Sequence, residues 1–194
     1  MTSDISAVLH RLIDKLKERG QSEEEIVRAI DSHGDGLLEK LADTVGQATH
    51  NPRETFPLLV NYDLPLADAI DAGQYQGVHA SFTRENFPPA RSGQAEVEII
   101  LVRYQQRMES ENVLRELDKE GLRAAELSEI LAFGAEYPEV QRRFSVIGLG
   151  SVWKDRKGYR NVPCLYEASE GRYVDLHWWD DGWYSFSRFA AIRK

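Results

Sequence analysis

The spacing of apolar residues changes once along this chain, near Gly46–Pro52, and that change divides what it can fold into. Before it, Ile5, Val8, Leu9, Leu12, Ile13 and Leu16 recur at the spacing of one helix face. Gly20 stops that helix. Ser22 followed by Glu25 has the form of a capping box, with Ile26, Ala29 and Ile30 as the next stripe. Leu37, Leu38, Leu41 and Val45 mark a third helix. Residues 1–48 therefore read as a helical appendage, a small bundle or an interaction segment, because so apolar a stripe needs cover.

After the break, strands and helices mix, and the expected class is α+β over residues 54–194. Phe56–Tyr62 reads as a strand, and Pro65–Ala72 as a short helix ended by Gly73. Ala95–Gln105 reads as a strand buried in part on both faces. One helix starts near Ser110, carries Val113, Leu114 and Leu117, and closes at Gly121. Another carries Leu127, Ile130, Leu131 and Phe133 and closes at Gly134. Four short strands follow, Val146–Trp153, Val162–Tyr166, Arg172–Trp178 and Arg188–Arg193, with Gly158, Gly171 and Gly182 at the connections.

Several function classes drop out. With 24 basic and 32 acidic residues the net charge is −8, so the chain is a poor ligand for a nucleic-acid backbone. A helix-turn-helix reader fits badly, since Glu23, Glu24 and Glu25 open the second helix. No apolar run approaches a membrane span or a secretory h-region, which makes a cytoplasmic protein the default and leaves surface or virion display open. Asp31, His33, Asp35 and Gly36 imitate a calcium loop, but Ala42 stands where the bidentate Glu belongs. The five histidines show no zinc spacing, and no nucleophile elbow or phosphate loop is present. Gly148 and Gly150 read as sites of close strand packing. Cys164 reads as a buried, inert thiol. Nothing in the residues calls for a metal or a cofactor, and no residue is assigned as catalytic.

The informative stretch is Arg172–Lys194. Alternation puts Val174, Leu176 and Trp178 on one face and Tyr173, Asp175 and His177 on the other. The first set suits a core, with Trp178 largely buried. The second is a mixed aromatic, acidic and imidazole row facing outward. Asp180, Asp181, Gly182, Tyr184, Ser185, Phe186 and Ser187 follow, in a segment too polar and turn-rich for core. Its composition is that of a paratope, rigid aromatic anchors among small polar groups. A plain surface loop with a few packing aromatics is the simpler alternative.

Gly121-Leu122-Arg123-Ala124-Ala125-Glu126-Leu127, then Leu149-Gly150-Ser151-Val152-Trp153, then Arg188–Arg193 resemble the C-type-lectin-like fold shared with formylglycine-generating-enzyme-like domains. There a GxRxxTxxEL stretch and helix lead into short strands and a closing RxxxVR-like strand; Ala125 replaces the usual Thr. More specifically, residues 54–194 resemble the hypervariable proteins of diversity-generating retroelements, of the archaeal and small-genome bacterial type. The resemblance implies a variable region of about 153–194 that binds a protein, or second a glycan. Adenine-directed mutagenesis of AAC-type codons keeps the final C and excludes Trp, Lys, Glu, Gln and Met. Tyr173, Asp175, His177, Asp180, Asp181, Gly182, Tyr184, Ser185, Phe186 and Ser187 are permitted products and are the implied ligand-binding residues. Trp178, Trp179 and Trp183 are then fixed scaffold, with Trp183 partly buried beneath the loop. Calcium-dependent sugar binding fits poorly, since the one cysteine allows no disulfide and neither sugar-binding tripeptide, Glu-Pro-Asn or Gln-Pro-Asp, is present. The alternatives are an enzyme or cofactor-linked domain on the same fold, and a structural or regulatory interaction protein.

Overall fold

A computed structural model describes residues 14–22, 24, 25, 28 and 53–194. The chain divides into two compact units, Met1–Pro52 and Arg53–Lys194. In the first, residues 14–18 are helical. The Ser22 box is closed: the Glu25 amide donates to Ser22 Oγ at 3.3 Å and the Ser22 amide to the Glu25 carboxylate at 2.9 Å. The apolar stripe of the second helix, the third helix and the false calcium loop lie outside the described residues.

The second unit is a mixed α/β fold with one nine-stranded sheet and few helices. In chain order its elements are β1 (Thr55–Asn61), α1 (Leu66–Ala72), β2 (Gly77–Val78), β3 (Gln94–Val102), α2 (Ser110–Lys119), β4 (Leu122–Ala124), α3 (Leu127–Glu136) and α4 (Pro138–Arg143). Then come β5 (Val146–Ile147), β6 (Trp153–Lys154), β7 (Arg160–Ala168), β8 (Gly171–Trp178), a 3-10 turn (Trp179–Asp181) and β9 (Arg188–Arg193). The sheet order is β1-β3-β9-β5-β7-β8-β2, with β4 on β9 and β6 on β7. The pairs are antiparallel except β5 with β9 and β2 with β8.

Both faces of this sheet are covered, and alternation sorts its residues between two cores. Val60, Ile99, Leu101, Val174, Ala190 and Ile192 pack under Ile130, Leu131 and Phe133 of α3 and Val140 of α4. Ile100, Val102, Ile147, Cys164, Phe189 and Ala191 pack on the other side, with Val113 and Leu117 of α2 and with Trp179 and Trp183. The inner half of β3, Ile99–Val102, is buried on both faces for this reason.

Three expectations change. Gly134 does not close α3 but lies within it, and it is glycine there because the Tyr75 hydroxyl occupies the space a side chain would need. Val146–Trp153 is two short strands, not one. Between them Gly150 presses against the Ala124 and Ala125 carbonyls, 2.6 Å from where its Cβ would stand, and donates its amide to Ala125. The third concerns Trp178 and belongs to the site below.

Candidate ligand-binding cleft

The hairpin β7–β8 builds the floor. Its register sets Tyr166 opposite Tyr173 and Cys164 opposite Asp175. Tyr173, Asp175 and His177 share one face, as their alternation requires, and Val174 and Leu176 pack toward the other core. That first face is half-buried and not fully exposed. The chain after β8 folds back over it, and Trp183 lies against His177 with centroids 4.7 Å apart. A cleft of about 330 Å³ remains, lined by Tyr166, Asp175, His177, Trp183, Tyr184 and Phe186, with Ile147 and Cys164 beneath.

Of the ten expected site residues, six line this cleft: Asp175, His177, Gly182, Tyr184, Phe186 and Ser187. Ser187 is buried, and Ser185 is half-buried beside them. Tyr173 stands behind: its ring stacks on Tyr166 at 5.4 Å, and Gly77 lies against it so closely that a Cβ would be 2.4 Å away. It supports the floor and does not line the cleft. Asp180 and Asp181 do not line it either. Asp180 pairs with Arg160, and the Asp181 carbonyl accepts a hydrogen bond from Arg107 at 2.7 Å.

The tryptophans correct the reading of this segment as too polar to bury. Trp178 ends β8 beyond the core's edge, is 58% exposed and stacks on the exposed Tyr159. The chain then enters the 3-10 turn, the alternation stops, and Trp179 takes the buried place at 5% exposure. Trp183 is buried more deeply than expected, at 3%. Its indole N–H donates to Ser110 Oγ at 2.8 Å, and that hydroxyl donates to the Trp179 carbonyl at 2.7 Å. The Trp179 indole N–H donates to Glu111 at 2.7 Å.

The loop between Trp178 and Arg188 is held by its main chain. Arg103 donates to the Ser185 carbonyl at 2.9 Å, Arg107 to Asp181, and Arg188 to the Phe186 and Ser187 carbonyls at 3.3 and 3.2 Å. Met108 and Trp183 exchange both amide hydrogen bonds. Gly182, at φ +71°, admits the Arg107 guanidinium where a Cβ would meet it at 2.7 Å. Tyr184 and Phe186 project outward, exposed and stacked on each other at 5.8 Å.

Burial, with the Asp175 charge second, pushes the Cys164 thiol up to about 12, so no thiolate is available as a nucleophile. Burial and then the Asp175 charge also raise Tyr166, whose hydroxyl donates to Asp175 at 3.3 Å. Among the described residues no group of three or more His, Cys, Asp or Glu side chains could hold a metal ion, and no helix is long and apolar enough to cross a membrane. Tyr166 and Arg107 were missed from the sequence. The signal for Tyr166 was there: folding the chain about Ser169-Glu170 puts it opposite Tyr173. Arg107, far off in the chain, left none.

No known family model, curated protein or solved structure matches this chain.

Proposed function

We propose that this protein binds a ligand, a protein before a glycan, through the cleft of residues 53–194, and performs no catalysis there. In this reading it is a variable protein of a diversity-generating retroelement on a C-type-lectin-like fold. The observation that carries the reading is the mode of attachment of the loop. Arg103, Arg107, Arg188 and Ser110 grip carbonyl oxygens, which every residue type supplies. The side chains of Ser185 and Phe186 take no part in that grip, and Tyr184 adds only its ring, 5.6 Å from the Arg107 guanidinium carbon. A loop anchored in this way can change its side chains and keep its course. The fold assignment draws support from the two helices α2 and α3 between β3 and β5, and from the closing strand β9 beside β3.

The test is a library randomised at Tyr184, Ser185 and Phe186. Most members should stay soluble and melt within a few degrees of the parent, as exposed changes usually do. Panning against a folded protein target should yield binders. General loss of folding across the library would defeat the proposal. A neighbouring reverse transcriptase gene with an adenine-rich near-copy of the last coding stretch should accompany the gene.

A further inference from the structure

Resting on the reading of the cleft as a binding site, we infer that it receives a cationic side chain, a guanidinium or an ammonium, presented by a protein partner. Two features of the lining converge on that chemistry.

The first is aromatic density. Tyr166, Trp183, Tyr184 and Phe186 all line a space of about 330 Å³, and aromatic faces attract a desolvated cation through the ring quadrupole. Arg107 already shows this on the outer loop, with its guanidinium carbon 5.6 Å from the Tyr184 centroid.

The second is charge. Among the described residues Asp175 is the one carboxylate in the lining, and no Lys or Arg lines the cleft; His177 is the other titratable side chain there besides the tyrosines and Cys164. The Asp175 oxygens take the Tyr166 hydroxyl at 3.3 Å and the Leu176 amide at 2.7 Å. A carboxylate has about four acceptor sites, so this one is aimed by its neighbours and still able to accept from an incoming donor. The three arginines that hold the loop make no hydrogen bond to it. Arg103, Arg107 and Arg188 are turned to the loop's carbonyls. An apolar group would leave the acceptor sites of the carboxylate unused, and a neutral donor would make a weaker hydrogen bond to it than a cationic one. A cation answers both features at once.

The experiment titrates the full chain with three probes, followed by the Trp183 indole N–H in proton–nitrogen NMR and assigned by Trp183→Phe. The probes are N-acetyl-arginine methylamide, its citrulline counterpart, in which a neutral urea replaces the guanidinium, and methyl mannoside. The arginine probe should shift the Trp183 signal saturably at millimolar concentration, and the citrulline probe should bind about tenfold more weakly, the ratio one charge-assisted contact supplies. Asp175→Asn should erase that ratio, bringing the two within about twofold, while Phe186→Ser weakens both. Equal binding of citrulline, binding of the sugar in place of arginine, or no saturable shift would each overturn the inference. Any of these results, with the randomised library still folded and yielding binders, leaves the binding-surface proposal standing.

Discussion

Arg172 is buried, yet among the described residues no carboxylate pairs with it. It donates from β8 to the Gly134 carbonyl at 2.7 Å, to the Gly73 carbonyl, and more weakly to Gln141 Oε1 at 3.4 Å. Gly73 caps α1 and Gly134 lies in the last turn of α3, so both carbonyls are ones a helix leaves unpaired at its end. The cation sits where two negative helix ends meet, and the guanidinium also packs 5.2 Å from the Tyr75 centroid. Arg172→Ala removes two charge-assisted hydrogen bonds, each worth about 1.5–3 kcal/mol. It also removes a ring contact of about 0.5–1 kcal/mol. Loss of the charge relieves its own desolvation, so these terms do not add. The expected cost is about 3–4 kcal/mol, or a fall of about 10 °C in Tm for a unit of this size. Arg172→Lys should recover about half of it, since one ammonium lacks the fork that reaches both carbonyls. Urea and thermal unfolding by circular dichroism measure both. A loss under about 1 kcal/mol for the alanine variant, or full recovery with lysine, would refute the argument.

Trp183→Ala should cost about 3–5 kcal/mol and Trp178→Ala under about 1, and similar values by denaturant melt would mean that their burial is misassigned. Gly150→Ala should destabilise more than Gly148→Ala, because a Cβ at Gly150 would stand 2.6 Å from two backbone carbonyls, whereas one at Gly148 would meet first the Ile130 side chain and the Ala125 carbonyl only at 3.3 Å. The Glu111 carboxyl is held below its ordinary range, first by the Trp179 indole and then by its own backbone amide, against desolvation, with Arg160 adding to the effect. Its contribution to stability is therefore present at neutral pH and lost as the pH falls through the lowered value, and Glu111→Gln should flatten that part of an acid titration. Residues 53–194 expressed alone should melt cooperatively; a non-cooperative melt would move the boundary between the units.

What could be read in advance was local. The two faces of β8 follow from its alternation, and so does the burial of Ile99–Val102. Trp178 could not be placed, because alternation says nothing about where a strand outruns its core. β4 is three residues long, too short to show a period, and only its pairing with β9 defines it. The cleft itself depends on Trp183 returning over His177. That contact is set by Ser110 and Met108, some seventy residues earlier, and no spacing within the loop announces it.

β9 joins β3, β4 and β5 and stands inside the sheet, although it follows all three in the chain. During synthesis the earlier strands must wait, with both cores open, until residues 188–193 clear the ribosome. A nonsense codon or frameshift anywhere in the loop that precedes β9 deletes this central strand and leaves nothing able to fold. Cellular proteolysis would then remove the truncated or out-of-frame product.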